Sequence, residues 1–595
     1  MKVVKIAILD SGVKKDHKAF IGKKINSRSL LLEGDDVIDI EDGEDEVGHG
    51  TAVHYIIDRL TNNTELYDFK IYQNENRLTL SDLEKILLYI KNHETRFDII
   101  NISSGIVQCD KTERLQYICN EIINSGTIIV AAFDNDGAIS FPAALDNVIG
   151  VDSAKNITSI NDFIYVENSL VNVIGKNHIQ KVAWTNPEYN MIAGNSFTCC
   201  YVTSKITKMI QEGNYESKNI GTSTIPKRDY KNIDRPYKIK RAAVFPFNKE
   251  LHSLARYEDI LNFKIEGYYS VRATGQIGRK ISSLLMNCNN EEVIKDIDKI
   301  EWNKVDTLVL GHLDELNHLL KNDLTKLLLN KAIEHEIRIF SFDILDKYCP
   351  YDKQKQIGIY TPRISSINIK NNFGKLYKTN IPVVSVVGTS SSQGKFTLQL
   401  YIRKKLMEIG YIVGQIGTEP SSELFGIDFS FPIGYNSNIH LQPYEYLQII
   451  NQMIWDLSTK SEIILTGSQS SLATYSTNNI NHFPLNHQIF LEAVQPDVVV
   501  LCINPYDEFE FIEKTLNLIK GLTSAKIIGA ICFPLDMDDT WAGKMGKKVK
   551  ITDEKRLLLK EQMLLKFDLK TGFLDNNEDL DIVIEDFLNY FANIE

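Results

Sequence analysis

The strongest constraint on this chain is the alternation of short β-rich runs with helical patterns along nearly its whole length. "VKIAILD", "FDIINIS" and "GTIIVAAF" are such runs, interleaved with "LSDLEKILLYIKNH" and "RLQYICNEIINSG". Repeated strand–helix–strand units build a parallel sheet with helices on both faces. The alternation holds to about residue 215, where "GNYESKNIGTSTIPKRDYKNIDRPYK" breaks it with polar, Pro- and Gly-containing sequence. It resumes near 238 with "KRAAVFPF", "FKIEGYYSV", "DTLVLGH" and "IRIFSFDIL". A second break, "PRISSINIKNNFGKLYKTNIP", precedes a third block that opens with "VVSVVGTSSSQGKFTLQLYIRKKL" and closes with the amphipathic "DLDIVIEDFLNYFANIE". The expected organisation is an α/β domain at 1–218, a linker at 219–237, and further α/β domains at 238–375 and 376–595. A chain of 595 residues is too long for one core, which agrees with that division.

Composition narrows the function classes. A hydrophobic fraction of 43% and a charged fraction of 24% are those of a soluble globular protein. The net charge of −12 argues against a general nucleic-acid binder, which presents a basic surface. No run of 18 apolar residues is present, so no membrane span is expected. The start "MKVVKIAILDSG" lacks the apolar region and cleavage site of a signal peptide. Eight scattered cysteines without a CxxC pair fit reduced thiols rather than a disulfide framework or a zinc site. A cytoplasmic protein is expected.

Within the first block, "MIAGNSFTCCYVTS" places Ser196 at a small-residue helix start. A serine hydroxyl becomes a nucleophile only when a base takes its proton and an acceptor orients that base. "AILDSGV" supplies Asp10 at the end of the first strand, where α/β sheets gather catalytic groups. "GHGTAVHYII" supplies His49 at the mouth of a helix, between glycines that allow close backbone approach. Taken singly, these residues read as a turn aspartate, a turn histidine and a helix N-cap. His54, one turn after His49, reads as structural.

In that order, "ILDSGV", "GHGTAV" and "GNSFTCCYV" resemble the Asp, His and Ser signatures of the subtilases, whose chain order is Asp…His…Ser. "DIINISSG" resembles the family's cleft-lining strand, with Ser103, Ser104 and Gly105 at its tip. "IVAAFDNDGAISFPAALDNVIGV" resembles the segment carrying the oxyanion asparagine, which the resemblance places at Asn135. The implied roles are Ser196 as nucleophile, His49 as base and acid, Asp10 as the orienting carboxylate, and Asn135 with the Ser196 N–H as oxyanion donors. No cofactor or metal is implied for that chemistry. The chain departs from the family at Asn195, where threonine is usual, in lacking the proline after the serine, and in "FDNDG" for the usual Ala-Gly-Asn. No N-terminal inhibitory prodomain is expected. These departures imply a narrow, specialised protease. The acidic run "EGDDVIDIEDGEDEVGHG" admits three readings: a solvated loop, carboxylates for calcium, or a preference for basic substrate residues.

The third block opens with a strand, a small-residue loop and a helix start, the context of a phosphate cradle. Gly388, Thr389, Gly394 and Lys395 are the candidate binding residues. Phe396 sits where Ser or Thr holds magnesium, with Thr397 as the substitute. The loop is similar to the Gly-Thr-x-x-x-x-Gly-Lys version of dethiobiotin synthetase and its relatives. From about 238 onward the chain resembles a two-part family, Rossmann-like then P-loop, that includes a D-glutamate N-acetyltransferase. That likeness rests on "GTSSSQGKFT", "QIGTEPSSELFGID", "ILTGSQSSLATYS" and "PDVVVLCINPYD". The family's Glu-Gly-Gln-Gly-Ser stands here as Thr466-Gly467-Ser468-Gln469-Ser470, without the acid. ATP or another phosphate-bearing cofactor with magnesium is the implied ligand class. The glycines of "GYYSVRATGQIGRK" make no dinucleotide fingerprint.

The whole layout resembles natural-product peptide maturation proteins. It implies an endopeptidase that cleaves a ribosomally made precursor peptide, with a radical-type peptide-modifying enzyme as a partner and neither nucleic acid nor membrane. Two other readings stay open: a C-terminal phosphoryl or acyl transferase as the main enzyme, and a peptide-binding scaffold without chemistry.

Overall fold

The computed structural model describes residues 2–72, 78–109, 111–166, 169–222, 237–285, 288–365, 372–434, 437–540 and 546–592. Most of the expected linker, 223–236, lies outside the described residues. The chain divides into two compact units: Met1–Tyr230 with Ile369–Asn380, and Lys231–Asn368 with Ile381–Glu595. A short downstream segment thus belongs with the first unit, a division not drawn from the sequence.

The first unit is built on nine strands: β1 (Val4–Asp10), β2 (Asn26–Glu33), β3 (Asp36–Ile40), β4 (Thr64–Lys70), β5 (Ile99–Ile102), β6 (Ile128–Ala132), β7 (Ile149–Ala154), β8 (Ile164–Tyr165) and β9 (Val173–Lys176). Their spatial order is β3-β2-β4-β1-β5-β6-β7-β9-β8. Pairing is parallel except at the two edges, β2–β3 and β8–β9. Central parallel strands are buried on both faces, which explains the near-continuous apolar run of β1. Val4, Ile6 and Ile8 share one core cluster with Val53, Ile56 and Ile57 of helix α1 (His49–Leu60) and with Cys199, Cys200, Val202 and Ile206 of helix α4 (Asn195–Glu212). By strand alternation Ala7 and Leu9 face the opposite side, and both are fully buried. Helices α2 (Leu80–Asn92) and α3 (Glu113–Asn124) pack on each other. Each fully buried Ile or Leu contributes about 1.5–3 kcal/mol, so the α1 and α4 faces are held firmly to the sheet.

Among the described residues, the second unit's two large sheets are both parallel. One has six strands in the order Lys295–Asp296, Lys264–Ser270, Arg241–Phe245, Thr307–Leu310, Arg338–Ser341, Ile359–Tyr360. The other has seven: Phe429–Ser430, Val413–Gly417, Ile463–Gly467, Val383–Gly388, Val498–Ile503, Lys526–Cys532, Thr571–Phe573. They are the expected Rossmann-like and P-loop halves. Leu400, Leu424, Phe425 and Ile427 of the second half share a core cluster with Val244, Tyr268 and Phe340 of the first. Among the described residues, no helix is long and apolar enough to cross a membrane. All eight cysteines are buried, and Cys119, Cys199, Cys200, Cys288, Cys349, Cys502 and Cys532 are free thiols.

Candidate active site

Asp10 ends β1 at the carboxyl edge of the first unit's sheet, and its side chain is buried. His49 is the first residue of α1. Two glycines bring it there. Gly48 has φ +102°, and a Cβ on it would lie 2.5 Å from the Trp184 ring; a Cβ on Gly50 would lie 2.2 Å from the Gly12 carbonyl. Asp45, from the acidic run, caps the helix. Its carboxylate accepts from the N–H groups of Val47, Gly48 and Thr51, each at 2.9 Å, and from the Thr51 hydroxyl at 2.6 Å. Asp39 of the same run pairs with Arg28. Among the described residues, no group of three or more His, Cys, Asp or Glu is placed to hold a metal.

His49 Nδ1 stands 2.9 and 3.0 Å from the two Asp10 oxygens. Asp10 also accepts from the Ser11 N–H at 2.8 Å and from the Ser103 hydroxyl. Burial alone raises a carboxylate's pKa. At Asp10 the charge and hydrogen bond of His49, with the bonds from Ser103 and Ser11, override burial and hold it below the usual range. Burial likewise pulls the His49 imidazole down, but the charge and hydrogen bond of Asp10, helped by Asp45, set it above its ordinary value. His54 is used differently: its Nδ1 bonds Asp68 at 2.7 Å inside the core, with Phe20 edge-on at 5.0 Å.

Ser196 lies in the first turn of α4, where backbone N–H groups and the helix dipole favour negative charge. Its hydroxyl donates to the Ser103 carbonyl at 2.6 Å, not to His49. The His49 ring stands 5.5 Å from that of Phe197, the next residue, so the imidazole borders the same helix turn. Ser103 touches both ends of the constellation, through its hydroxyl to Asp10 and its carbonyl to Ser196. The sequence placed Ser103 only in the substrate cleft. Transfer of the serine proton to His49 requires the hydroxyl to turn away from Ser103, and catalytic hydrogen bonds commonly tighten only with substrate present.

Asn135 is exposed, and its Oδ1 accepts from the Asn195 N–H at 2.8 Å. That bond leaves Nδ2 as the donor beside Gly194 and the Ser196 turn. Asn195 itself accounts for its departure from the family pattern. Its Nδ2 donates to the carbonyls of Phe133 (3.1 Å) and Asp134 (3.2 Å), and its Oδ1 accepts from the Ser153 hydroxyl at 2.5 Å. A threonine hydroxyl has one proton to give, so only an amide serves both carbonyls. Ser104 accepts from the Tyr72 hydroxyl. Gly105 is tightly apposed to Ser140, where an added Cβ would lie 2.7 Å from the hydroxyl. Ser140 in turn accepts from the Asp134 N–H at 3.0 Å.

The returning segment braces this wall from behind. Lys375 is buried, pairs with Asp152 at 3.0 Å and lies over the Phe133 ring at 5.4 Å. Ile139 N–H donates to the Leu376 carbonyl at 3.0 Å, Gln108 bridges Lys378, and Tyr377 stacks on Phe141. Sequence reading took these residues only as a break between blocks.

In the second unit, Gly388 ends a central strand, Thr389 follows it, and Gly394 (φ +73°) leads into the helix Lys395–Glu408. The Gln393 carboxamide fills the loop: its oxygen accepts from the Ser390 N–H (3.1 Å) and its nitrogen donates to the Thr389 hydroxyl (2.6 Å). Thr389 is also bonded to Asp507 at 2.5 Å. Lys395 is buried and donates to the Ser390 carbonyl at 2.5 Å; burial pushes its amine down to about 8. A phosphate group fits this loop once the Gln393 side chain yields the Ser390 N–H. Magnesium at Thr397 does not fit. The Thr397 hydroxyl accepts from the Arg256 guanidinium at 3.3 Å and its carbonyl from the Tyr257 hydroxyl at 3.0 Å, so it is a contact between the two halves, facing a cation. Thr466, at the family's acidic position, bonds Ser385 between adjacent buried strands.

A subtilase family model matches residues 1–231, and a model of the DUF1611 C-terminal P-loop domain, a domain of unknown function, matches residues 370–533. Among solved structures the chain is similar to a cold-adapted subtilisin-like serine proteinase, at 23% identity over 36% of this chain and 76% of that one, with TM-score 0.29. It is similar to a DUF1611 family protein from Anabaena variabilis at 14% identity, over 59% and 99%, with TM-score 0.43. It is also similar to the epidermin leader peptide processing serine protease EpiP from Staphylococcus aureus at 19% identity, over 36% and 67%, with TM-score 0.30. No curated protein matches the chain. The chain therefore joins an N-terminal subtilase-family domain to a C-terminal DUF1611-type P-loop domain.

Proposed function

We propose that the first unit is a serine endopeptidase acting inside the cell on a ribosomally made precursor peptide. Ser196 Oγ attacks the scissile carbonyl while His49 Nε2 takes its proton. Asp10 holds Nδ1, which fixes the tautomer and stabilises the imidazolium as it forms. The oxyanion falls to Asn135 Nδ2 and the Ser196 N–H. The bond to the leaving amine breaks as His49 returns the proton, and water then releases the acyl group by the reverse sequence.

The observation that carries this reading is the gathering of three distant motifs, with His49 held on Asp10 at 2.9 Å and Ser103 touching both Asp10 and Ser196. The precursor-peptide part rests on the order of motifs along the chain. Seven free, buried cysteines support the intracellular part. For the second unit we propose binding of ATP or another phosphate-bearing ligand at Gly388–Lys395, in service of recognising or presenting the peptide; kinship with D-glutamate N-acetyltransferase-like proteins rests on the ordered sequence motifs. The test is mass spectrometry of precursor peptides encoded beside this gene after incubation with wild type and Ser196→Ala. A defined cut made only by wild type supports the reading. Peptide retained uncut by both identifies a scaffold instead.

A further inference from the structure

The two parallel sheets of the second unit bring their carboxyl strand ends together. Glu419 lies two residues beyond the strand Val413–Gly417. It interacts electrostatically with Glu250, Lys395, His312 and Lys249. Glu250 and Lys249 follow the strand Arg241–Phe245, and His312 follows Thr307–Leu310. Two contacts hold the ends in register: Asn438 Nδ2 donates to the Phe342 carbonyl at 2.7 Å, and the Tyr360 hydroxyl donates to Glu423 at 2.8 Å. Ligands of open α/β sheets bind outside carboxyl strand ends, and here two such edges meet around Glu419.

Three features mark this place. His312 Nδ1 bonds Asp343 at 2.6 Å, and Asp343 also accepts from the Leu313 N–H at 3.1 Å, so Nδ1 is engaged and Nε2 is the ring nitrogen left to meet a ligand. The hydroxyls of Thr418 and Ser421, on either side of Glu419, are fully buried and have no hydrogen-bond partner among the described residues. Buried hydroxyls left unmatched are costly, and such exceptions point to a missing partner. Glu419 itself faces a lysine prepared for an anion.

We propose that the two sheets' strand ends together form one ligand site, holding a phosphate-bearing anion on Lys395 with its other, hydrogen-bonding end against Glu419 and the His312–Asp343 pair. The proposal rests on the phosphate-cradle reading and adds the opposite wall. Burial, with Glu250 nearby and only partly offset by Lys395, His312 and Lys249, raises Glu419 to about 7. An anion arriving on Lys395 raises it further, so binding draws in a proton.

Calorimetry of the full chain at pH 7, in buffers of different ionisation enthalpy, reads that uptake directly, with ATP and inorganic tripolyphosphate as probes. Expected are binding by wild type, uptake of up to roughly half a proton per site, and at least tenfold weaker binding in Lys395→Ala. Uptake should fall in Glu419→Gln or His312→Asn while binding persists, and that retained binding shows that the second unit of each variant still folds. If neither probe binds wild type, the cradle reading fails and this one with it. If a probe binds but uptake is absent, or undiminished in both variants, the cradle stands and the second wall is refuted.

Discussion

At the scale of single residues, the balance at Asp10 and His49 sets the pH behaviour. His49 is raised by Asp10, so its free-base form is reached only above the ordinary imidazole value, and kcat/KM should climb with pH through that raised value. The stability linkage has the opposite sign: what His49 contributes is present below its unfolded-state pKa and is lost as pH rises through the folded value. Asp10, held low, contributes above the usual carboxylate range and loses that as pH falls through its depressed value. Asp10→Asn should therefore move the activity limb to lower pH and cut kcat by about 10⁴; a limb that stays in place would show that Asp10 does not set the imidazole. Asn135→Ala should lower kcat by roughly 10²–10³ with little change in KM, the pattern of a donor engaged only in the transition state. Steady-state kinetics on a cleaved peptide checks both. Asp10, His49 and Ser196 were legible as candidates because each sits in a turn whose glycines and neighbours are local in sequence. Asn195 was not, because Ser153, Phe133 and Asp134, which give its amide a purpose, come from other strands.

Among the elements, α1 carries the most consequence for its size. Its first turn holds the proposed base, and the Asp45 carboxylate accepts from the Thr51 N–H and hydroxyl in that turn and from the N–H groups of Val47 and Gly48 just ahead of it. Asp45→Ala should cost about 0.5–2 kcal/mol and, by loosening the start of α1, reduce kcat; thermal unfolding and turnover measured together test this, and loss of neither would remove Asp45 from the account. The apolar runs announced the sheets, since strands buried on both faces need Val, Ile and Leu throughout. The acidic run was ambiguous for a physical reason. Carboxylates for a metal, for solvent and for a helix end have the same composition, and only the fold shows that Asp45 meets backbone N–H groups.

For the whole molecule, the chain's return to its first unit is the feature sequence reading could not supply. Residues 372–378 are a short stretch of mixed polar and apolar residues without strand or helix periodicity, and their fit is visible only where Lys375 meets Asp152 and Phe133. Lys375→Met should leave the Asp152 carboxylate without its partner behind the oxyanion loop, lowering the unfolding midpoint of the first unit by a few °C and slowing peptide cleavage; unchanged values for both would make the segment a passive tether. The claim on which all of this depends is that Ser196 is an activated nucleophile. Reaction of the full chain with a fluorophosphonate, followed by tandem mass spectrometry of the adduct, tests it most directly. The account predicts one adduct on Ser196, lost in Ser196→Ala and strongly slowed in His49→Ala; no adduct, or one on another residue that survives Ser196→Ala, contradicts it.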